Sequence, residues 1–505
     1  MIKRGVSFST LLLACATTVS AQLISIRTVP VSQAHQFDIF PSSTLSMGGV
    51  SIALADSLLD PFTNPAKGTR LGSTRFVGTP SVYSVSSGAG GGRTLPLGAL
   101  TRLGSWYGGV WFAIQEVDLS DRRANNIFDL RPGPLPLCPE CASAGVDFSG
   151  AEKSHGNTYA FAALGRDLTA LGLSVGASVT WSGLNAIDGV DLLYAGSAVV
   201  EQYGHSVDVR VGVLKEWAGE RSLEAVAVHN RFGTTHDVYY LDSFWDPGSQ
   251  QFAMRPRLEQ NLDRTNTWGL HVAYQQPLAT NGWRMGWLAT VNRMDHPKIP
   301  NYAIMNIPRD PGHSSAFNVG FGIGRTLPTS TFGVDVVYEP IWSHTWADAA
   351  TDIEAAGGRT IPKGGMTIEN RFRFSNAAFR MGVDQELART TSLNARLQLG
   401  IGVHNIHYWL DQHDHVQVTD RDLEESWTEW TPTWGLSLGL PELEIRYRGS
   451  VTHGTGRPGV GSSGDVIALA AEARGGNILA APSGPLTLDE VRVVTHQISL
   501  SLPLR

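Results

Sequence analysis

Runs in which apolar residues alternate with small or polar ones recur along the chain. In "ALGLSVGASVTW" (residues 170–181), every second residue from Leu171 to Trp181 is apolar, and those between are Gly, Ser or Thr. Such alternation predicts β-strands with one apolar and one polar face. Several runs reach about ten residues, the length that a tilted strand needs to cross a bilayer, whereas strands of globular proteins more often stop near five or six. Further runs lie at residues 317–324, 332–339, 393–404 and 491–502.

The links between these runs alternate between short and long from Leu103 onward. This is typical of a membrane barrel, which has tight turns on one rim and large loops on the other. For this alternation to hold, residues 367–387 have to form one long strand. The number of strands from Thr74 to Leu502 is then about 16, or 14 if the first hairpin does not span the membrane. The predicted long loops cover residues 119–155, 183–203, 232–263, 294–312, 343–365, 410–427 and 452–489.

We therefore predict an all-β fold, a transmembrane antiparallel β-barrel of about 14–16 strands with an N-terminal hatch or plug. A soluble sandwich would instead bury the apolar faces. The composition agrees with a barrel, because only 17% of the 505 residues are charged and no run of about 18 apolar residues could form a spanning helix. The net charge of −7 shows no excess of basic residues of the kind that would bind nucleic acid.

The first residues have the features of a secretory signal peptide. Lys3 and Arg4 precede an apolar run, and small residues end at Ala21, so we predict a signal peptide over residues 1–21. The alternative is a lipobox, "LLAC", which would leave a lipidated Cys15. Export without a spanning helix leaves two options, a periplasmic or secreted protein and an outer-membrane barrel. The alternating runs favour the second, in the outer membrane of a two-membrane bacterium. Residues 22–72 do not alternate and form the predicted plug, and residues 73–505 form the predicted barrel.

The stretch "MGGVSIALADSLLDPFTNPAK" (Met47–Lys67) resembles the N-terminal signature of FadL/TodX-type outer-membrane transporters. The resemblance implies a 14-stranded barrel closed by a hatch, and transport of long-chain fatty acids or other hydrophobic compounds. Two features depart from the family pattern, since Lys67 stands where the family usually has Gly and the chain ends at Arg505 rather than at an aromatic residue. The matching residues are Gly48, Gly49, Ala55, Asp56, Asn64, Pro65 and Ala66.

Within this hatch motif, Pro65 would fix the backbone turn of Asn64-Pro65-Ala66, and Asp56 would accept hydrogen bonds nearby. A related group with the same signature serves secretion machinery as an accessory barrel. The prediction is a channel or transporter for hydrophobic small molecules such as long-chain fatty acids. The alternatives are a closed accessory barrel with a secretion-system or surface-protein partner, and a general porin.

Charged residues at alternating strand positions are candidates for the lumen. Arg371 and Arg373 alternate with Phe372 and Phe374, and a charge facing lipid costs about 2–4 kcal/mol at the bilayer midplane. We therefore predict that these arginines face the lumen. They would either bind a ligand carboxylate or form an ion-pair network that fastens the plug to the wall. The same prediction covers Arg396, Arg446 and Arg448.

Other chemistry-bearing residues favour structural roles. Cys138 and Cys141 of "CPEC" lie in a predicted outer loop, where a disulfide is the expected pairing in an oxidising compartment. Zinc would need a second such pair, and the histidines of "HNIHYWLDQHDH" (404–415) fall mostly in a predicted loop, so no metal site is predicted. The chain has no recognisable catalytic constellation such as G-x-S-x-G. We predict no enzymatic activity and no cofactor, with the lipid bilayer and a hydrophobic ligand as partners.

Overall fold

The computed structural model describes residue 27 and residues 36–119, 154–190, 199–278, 281–296, 311–349, 351–458 and 488–504. The predicted signal peptide, the alternative lipidation at Cys15 and the predicted disulfide between Cys138 and Cys141 lie outside these residues.

The described residues form sixteen antiparallel strands, in which neighbours along the chain are also neighbours in the sheet. The strands are β1 (Thr74–Gly78 and Ser81–Val85), β2 (Gly91–Leu103), β3 (Trp106–Asp118), β4 (Ser154–Leu168), β5 (Leu173–Leu184), β6 (Val199–Trp217), β7 (Arg221–Asp246), β8 (Gln251–Pro277), β9 (Trp283–Asp295), β10 (Gly312–Thr326), β11 (Ser330–Asp348), β12 (Met366–Arg389), β13 (Asn394–Asp414), β14 (Thr419–Gly439), β15 (Glu444–Pro458) and β16 (Leu488–Leu504).

The sheet closes because the last strand pairs with the first. Thr74 lies opposite Leu504, and Val85 lies opposite Val493, so both pieces of β1 pair with β16. The interruption falls at Pro80, which has no N–H to donate, although its carbonyl still accepts from Ile498 N at 3.0 Å. The first hairpin is thus part of the wall. The sixteen strands confirm the predicted barrel and exceed the fourteen that the family resemblance implies.

The alternation along each strand separates an apolar outer face from a polar inner face. In β5, Val179 and Trp181 are exposed, whereas Ser174 and Ser178 are buried. The same holds in β13, where Leu399 is exposed and Gln398 is buried. Burial of Ser and Gln beside exposed Val and Leu reverses the arrangement of a soluble protein and is that of a bacterial outer-membrane barrel.

The two rims differ in the length of their connections. On one rim, which we call the inner rim, the strands are joined by turns of a few residues, such as 104–105 and 440–443. On the opposite, outer rim, the connections include residues 119–153 and 459–487. In outer-membrane barrels the rim with the long loops faces the cell exterior.

Two of the predicted outer loops are strands instead. Residues 232–263 belong to the β7–β8 hairpin, and residues 410–427 belong to the β13–β14 hairpin. These hairpins extend beyond the length needed to cross a bilayer, so both of their faces can be polar and the period of two disappears from the sequence.

In the described residues, helical structure is limited to short turns, and no helix there has the length and apolar composition to cross a membrane. A two-residue hairpin (Ile353–Glu354 and Thr360–Ile361) lies in the connection between β11 and β12. The helical turns are the 3-10 turns Leu45–Met47, Pro65–Arg70 and Thr169–Leu171 and the α-helical turn Asp60–Thr63.

The membrane depth assigned to β13 predicts a large and a small response to the same substitution at two outward positions. Leu399→Arg should lower the free energy of unfolding in lipid by about 2–4 kcal/mol, because the charge would lie in the apolar band. His407→Arg should change it little, because His407 lies beyond that band and already contacts Glu424 at 2.9 Å. Equilibrium unfolding in denaturant would check this, and equal costs at the two positions would contradict the assigned membrane depth.

Candidate functional site

The segment that precedes β1, residues 36–73, lies inside the barrel. Its backbone approaches the inner face of strands on different sides of the wall, which only a segment within the lumen can do. The contacts place Met47 against Gly382 (β12) and Gly400 (β13), Ile52 against Gly286 (β9), Asn64 against Gly212 (β6) and Pro65 against Gly176 (β5).

Glycines at inward positions make this approach feasible. A Cβ added at Gly176 would lie 2.6 Å from the carbonyl carbon of Pro65, and one added at Gly382 would lie 2.5 Å from the carbonyl carbon of Met47. Gly382 in turn lies directly opposite Gly400 on the neighbouring strand. Sequence analysis missed this belt of glycines, although its signal is present: glycine recurs on the polar face of several alternating runs.

The first glycines of the hatch motif are required by backbone conformation and by space. Gly48 and Gly49 have φ angles of 73° and 77°, in the left-handed region that other residues rarely adopt. A Cβ on Gly48 would also lie 2.6 Å from the carbonyl oxygen of Ile401 in the wall. The Gly48 N–H donates to Thr433 Oγ1 at 2.9 Å, so this turn contacts β14 as well.

Asp56 joins the two halves of the segment. One carboxylate oxygen accepts from Ser42 Oγ at 2.6 Å and from the Ser43 N–H at 2.8 Å. The other accepts from Ser43 Oγ at 2.8 Å and from the N–H groups of Leu58 and Leu59 at 3.1 and 3.2 Å. The carboxylate therefore organises the segment and is not available to a ligand.

Asn64, Pro65 and Ala66 form a turn that is bonded to the wall. Asn64 Oδ1 accepts from the Ala66 N–H at 3.0 Å, and its Nδ2 donates to Glu224 of β7 at 2.7 Å. The Tyr107 hydroxyl of β3 donates to the Ala66 carbonyl at 3.0 Å. Pro65 opens the 3-10 turn, where its missing N–H costs nothing.

Lys67 belongs to a charge cluster, which we define as Asp60, Lys67, Arg70, Glu216 and Glu224, and in which Glu216 alone is exposed. Lys67 Nζ lies 3.1 Å from Asp60 and 2.8 Å from Glu224. Arg70 lies 3.2 Å from Asp60 and 3.0 Å from Glu216. Glu216 and Glu224 belong to wall strands and the other three to the segment, so the cluster joins the two.

Lys67 is charged in this cluster at neutral pH. Burial by itself lowers the pKa of its ammonium group, but the carboxylates of Asp60 and Glu224 outweigh burial and raise that pKa above its ordinary value. The departure from the family pattern at this position therefore has a structural role, because a glycine here would leave Glu224 without its cation.

Wall side chains also bind the backbone of the segment directly. Asp335 of β11 accepts from the N–H groups of Ser51 and Ile52 at 2.7 and 3.1 Å. Gln275 of β8 donates to the Ile52 carbonyl at 2.9 Å. These bonds satisfy backbone groups of a segment that has almost no regular secondary structure.

Two of the predicted lumen arginines form ion pairs with their own wall. Arg396 faces inward and lies 2.6 Å from Asp384 and 3.4 Å from Glu386. Arg446 also faces inward and lies 2.6 Å from Glu444. Their neighbours favour the ion-pair interpretation over binding of a ligand carboxylate.

Arg448 links the wall to the segment. Its guanidinium is buried and lies 3.6 Å from the carboxylate of Asp38. A second link of this kind joins Arg27 to Glu429 of β14 at 2.7 Å. Arg448 therefore forms an ion pair between the wall and the segment, of the kind that the sequence predicted.

The predicted orientation of Arg371 and Arg373 is wrong. Both side chains point outward and are about two-thirds exposed, at 65% and 67%, whereas Phe372 and Phe374 face the lumen and are buried. The membrane cost used for the prediction does not apply, because this part of β12 lies beyond the apolar band on the outer side. There Arg371 pairs with Glu369 at 2.8 Å.

A cluster of buried apolar side chains, which we call the lumen apolar patch, lies on the inner side of the wall in its outer half. It includes the two inward phenylalanines of β12 and spans five neighbouring strands. Polar side chains such as Asn318 and Asn376 lie closer to the segment on the same strands. Its buried members are Met294, Ala316, Ile341, Phe372, Phe374, Tyr408 and Leu410, with Leu423 and Trp427 packed against them.

A cavity of about 650 Å³ opens on the other side of the segment, at the inner rim. Met47 and Leu54 of the segment form part of its surface. Charged residues of the wall, among them Glu220, Arg396 and Arg446, form much of the rest. The segment therefore lies between an apolar patch on the outer side and a polar cavity on the inner side.

The histidines of residues 404–415 have separate acidic partners. His404 lies 3.0 Å from Glu339, and His407 lies 2.9 Å from Glu424. In the described part of the chain, no three side chains of the metal-binding types are gathered into one site.

No family model matches the chain, and no curated protein matches it. Among solved structures, a FadL homologue of Pseudomonas aeruginosa aligns over 92% of this chain and 99% of its own, with 12% identity and a TM-score of 0.44. The Pseudomonas putida toluene transporter TodX aligns over 97% and 100%, with 11% identity and a TM-score of 0.39. A bacterial polysaccharide outer membrane secretin aligns over 86% and 99%, with 6% identity and a TM-score of 0.37. These values are too low to assign a family, so the resemblance to FadL/TodX-type transporters stays a prediction.

The charge cluster predicts that Lys67→Met loosens the segment. The substitution leaves buried Glu224 without its cation and Asp60 with Arg70 alone, and breaking a buried pair in this way costs about 3–5 kcal/mol. Hydrogen exchange should show that the free energy of local opening for the amides of residues 60–70 falls by about this amount. Lys67→Arg should keep most of the protection of these amides.

The matched control is Arg93→Met, which removes a cation from the outer surface, where Arg93 pairs with Glu116 at 2.9 Å. Exposed pairs contribute little, so exchange within the segment should not change. Unchanged exchange in Lys67→Met would show that the cluster does not hold the segment.

Proposed function

We propose that this protein is an outer-membrane channel that admits hydrophobic small molecules, such as long-chain fatty acids, and that residues 36–73 close the lumen until they move. The observation that carries the proposal is the position of this segment, which crosses the interior between the lumen apolar patch and the cavity at the inner rim. The barrel itself supplies the path through the membrane.

The lumen apolar patch supports a hydrophobic cargo. Barrel interiors are ordinarily polar, and polar side chains such as Asn318 and Asn376 lie on the inner face of the same strands. Phe372, Phe374 and Leu410 offer contacts that favour apolar compounds over ions, since apolar burial contributes about 25 cal/mol per Å². These three side chains are buried in this structure, so a compound would reach them only after the residues that cover them move.

The contacts between the segment and the wall support a movable closure. They include hydrogen bonds and ion pairs, such as Asp335 with Ser51 and Lys67 with Glu224. Water can replace these polar partners when the segment shifts, so their share of the cost of displacement is much smaller than the sum of the individual bonds. Phe62 also packs against Trp111 and Phe161 of the wall, and these apolar contacts oppose the shift. The cavity at the inner rim gives Met47 and Leu54 a space into which they can move.

The proposal includes no chemical reaction and no cofactor. Movement down a concentration gradient requires neither, and the ionisable groups of the lumen are engaged in structural pairs such as Arg396 with Asp384.

A reversible tether tests whether the segment must move. The Cβ that a residue at position 333 would carry lies 3.3 Å from the Cβ of Val50, close to the separation in a disulfide. The variant is Val50→Cys with Gly333→Cys, in a background with Cys138→Ser and Cys141→Ser. In vesicles, oxidation should reduce uptake of a labelled fatty acid at least about tenfold, and a reductant should restore it.

The single variant Gly333→Cys controls for the added side chain, and its uptake should not respond to oxidant. Full uptake by the oxidised double variant would contradict a closure by movement of the segment. A steady ion current through the unmodified protein would instead identify a general porin. A closed barrel that takes up no compound in either redox state, and co-purifies with a secretion or surface protein, would identify the accessory barrel.

A further inference from the structure

The outer face of β7 and β8 carries two arginines that have no acidic partner among the described residues. Arg231 and Arg264 are exposed, and in the described part of the chain neither forms an ion pair. Other outward arginines at this rim do have one: Arg371 pairs with Glu369, and Arg373 pairs with Asp411 at 3.3 Å. Two unpaired guanidinium groups on neighbouring strands therefore distinguish this part of the surface.

The strand register places the two arginines next to each other. Arg231 lies opposite Asn266, and Arg264 lies opposite Gly233. They are thus diagonal neighbours on one face, whose Cα atoms lie about 7–8 Å apart. Like charges this close repel each other, and an anion held between them would remove the repulsion.

The residues just below the arginines place them at the depth of lipid headgroups. His229 stacks on Trp268 with ring centroids 4.0 Å apart and an interplanar angle of 25°. Trp is enriched where the apolar band of a barrel meets the polar headgroups. Toward the inner rim the outward residues become apolar, as at Leu270. Arg231 and Arg264 lie on the outer-rim side of this boundary.

On β9, Arg293 lies level with Trp268, below the two arginines, and Asp295, which carries a carboxylate, lies opposite Asn266, level with Arg231. Arg293 donates to Ser315 Oγ at 3.2 Å. Its contact with Asp295 is long, at 4.0 Å, and both side chains are about half exposed. A third guanidinium is therefore within one strand of the pair and weakly neutralised.

We propose that Arg231 and Arg264 bind a phosphate of the phosphorylated glycolipid that forms the outer leaflet. Guanidinium groups bind phosphate oxygens through paired hydrogen bonds, and two of them suit one phosphate better than a single cation does. Trp268, below them, would contact the upper part of an acyl chain of the same lipid. The inference concerns the outside of the wall and does not depend on what the lumen transports.

The test is native mass spectrometry of the full chain in detergent, titrated with bisphosphorylated lipid A and with its enzymatically dephosphorylated form. The unmodified protein should retain the phosphorylated lipid preferentially. The variant Arg231→Gln with Arg264→Gln should weaken this binding at least about tenfold, because it removes the charged donors of the hydrogen bonds to the phosphate. An excess of inorganic phosphate should not displace the lipid, since the acyl contacts belong to the site.

The matched control is Arg93→Gln with Arg492→Gln, which removes two exposed outward arginines near the same rim on the far side of the barrel. This control should bind lipid within about twofold of the unmodified protein, and heat-dependent gel migration should show both variants folded. Equal loss in the control and the test variant would reduce the effect to overall charge and overturn the proposal. So would unchanged binding in Arg231→Gln with Arg264→Gln, equal retention of the dephosphorylated lipid, or displacement by phosphate alone.

Discussion

Every backbone N–H and C=O at membrane depth must find a partner within the protein, because the hydrocarbon core offers none. A sheet meets this requirement only when it has no edge. Here the pairing of β16 with both pieces of β1 removes the edge, and it does so across Pro80, the one position of that strand without an N–H. Closure then creates an enclosed lumen. The position of the segment inside it and the distribution of charge on the two faces of the wall both depend on this closure.

Inside the wall, the problem is how to hold a segment that has almost no regular structure. The solution combines close approach with polar bonding. Inward glycines such as Gly176 and Gly382 let backbone meet backbone, and side chains such as Asp335 and Gln275 satisfy the backbone groups that the segment leaves open. Asp56 connects the segment's two halves, so the segment behaves as one unit against the wall.

Charge is distributed according to depth and face. Within the lumen, buried cations are neutralised by carboxylates, as Lys67 is by Asp60 and Glu224, because an isolated buried charge is expensive. Outside, the charged side chains of the described residues lie beyond the apolar band. Arg371 is the clearest case, since it occupies an outward position that would be forbidden a few residues further along the same strand.

The sequence by itself determined the barrel, the polar interior and the location of a non-alternating segment before it, because a period of two, strand length and loop lengths are local properties of the chain. It could not place Arg371 and Arg373, because alternation defines two faces without saying where the membrane ends along a strand. Nor could it bring Lys67 to Glu224 or Pro65 to Gly176, which are far apart in sequence. Those contacts depend on the closed wall, which fixes the strands that surround each residue of the segment.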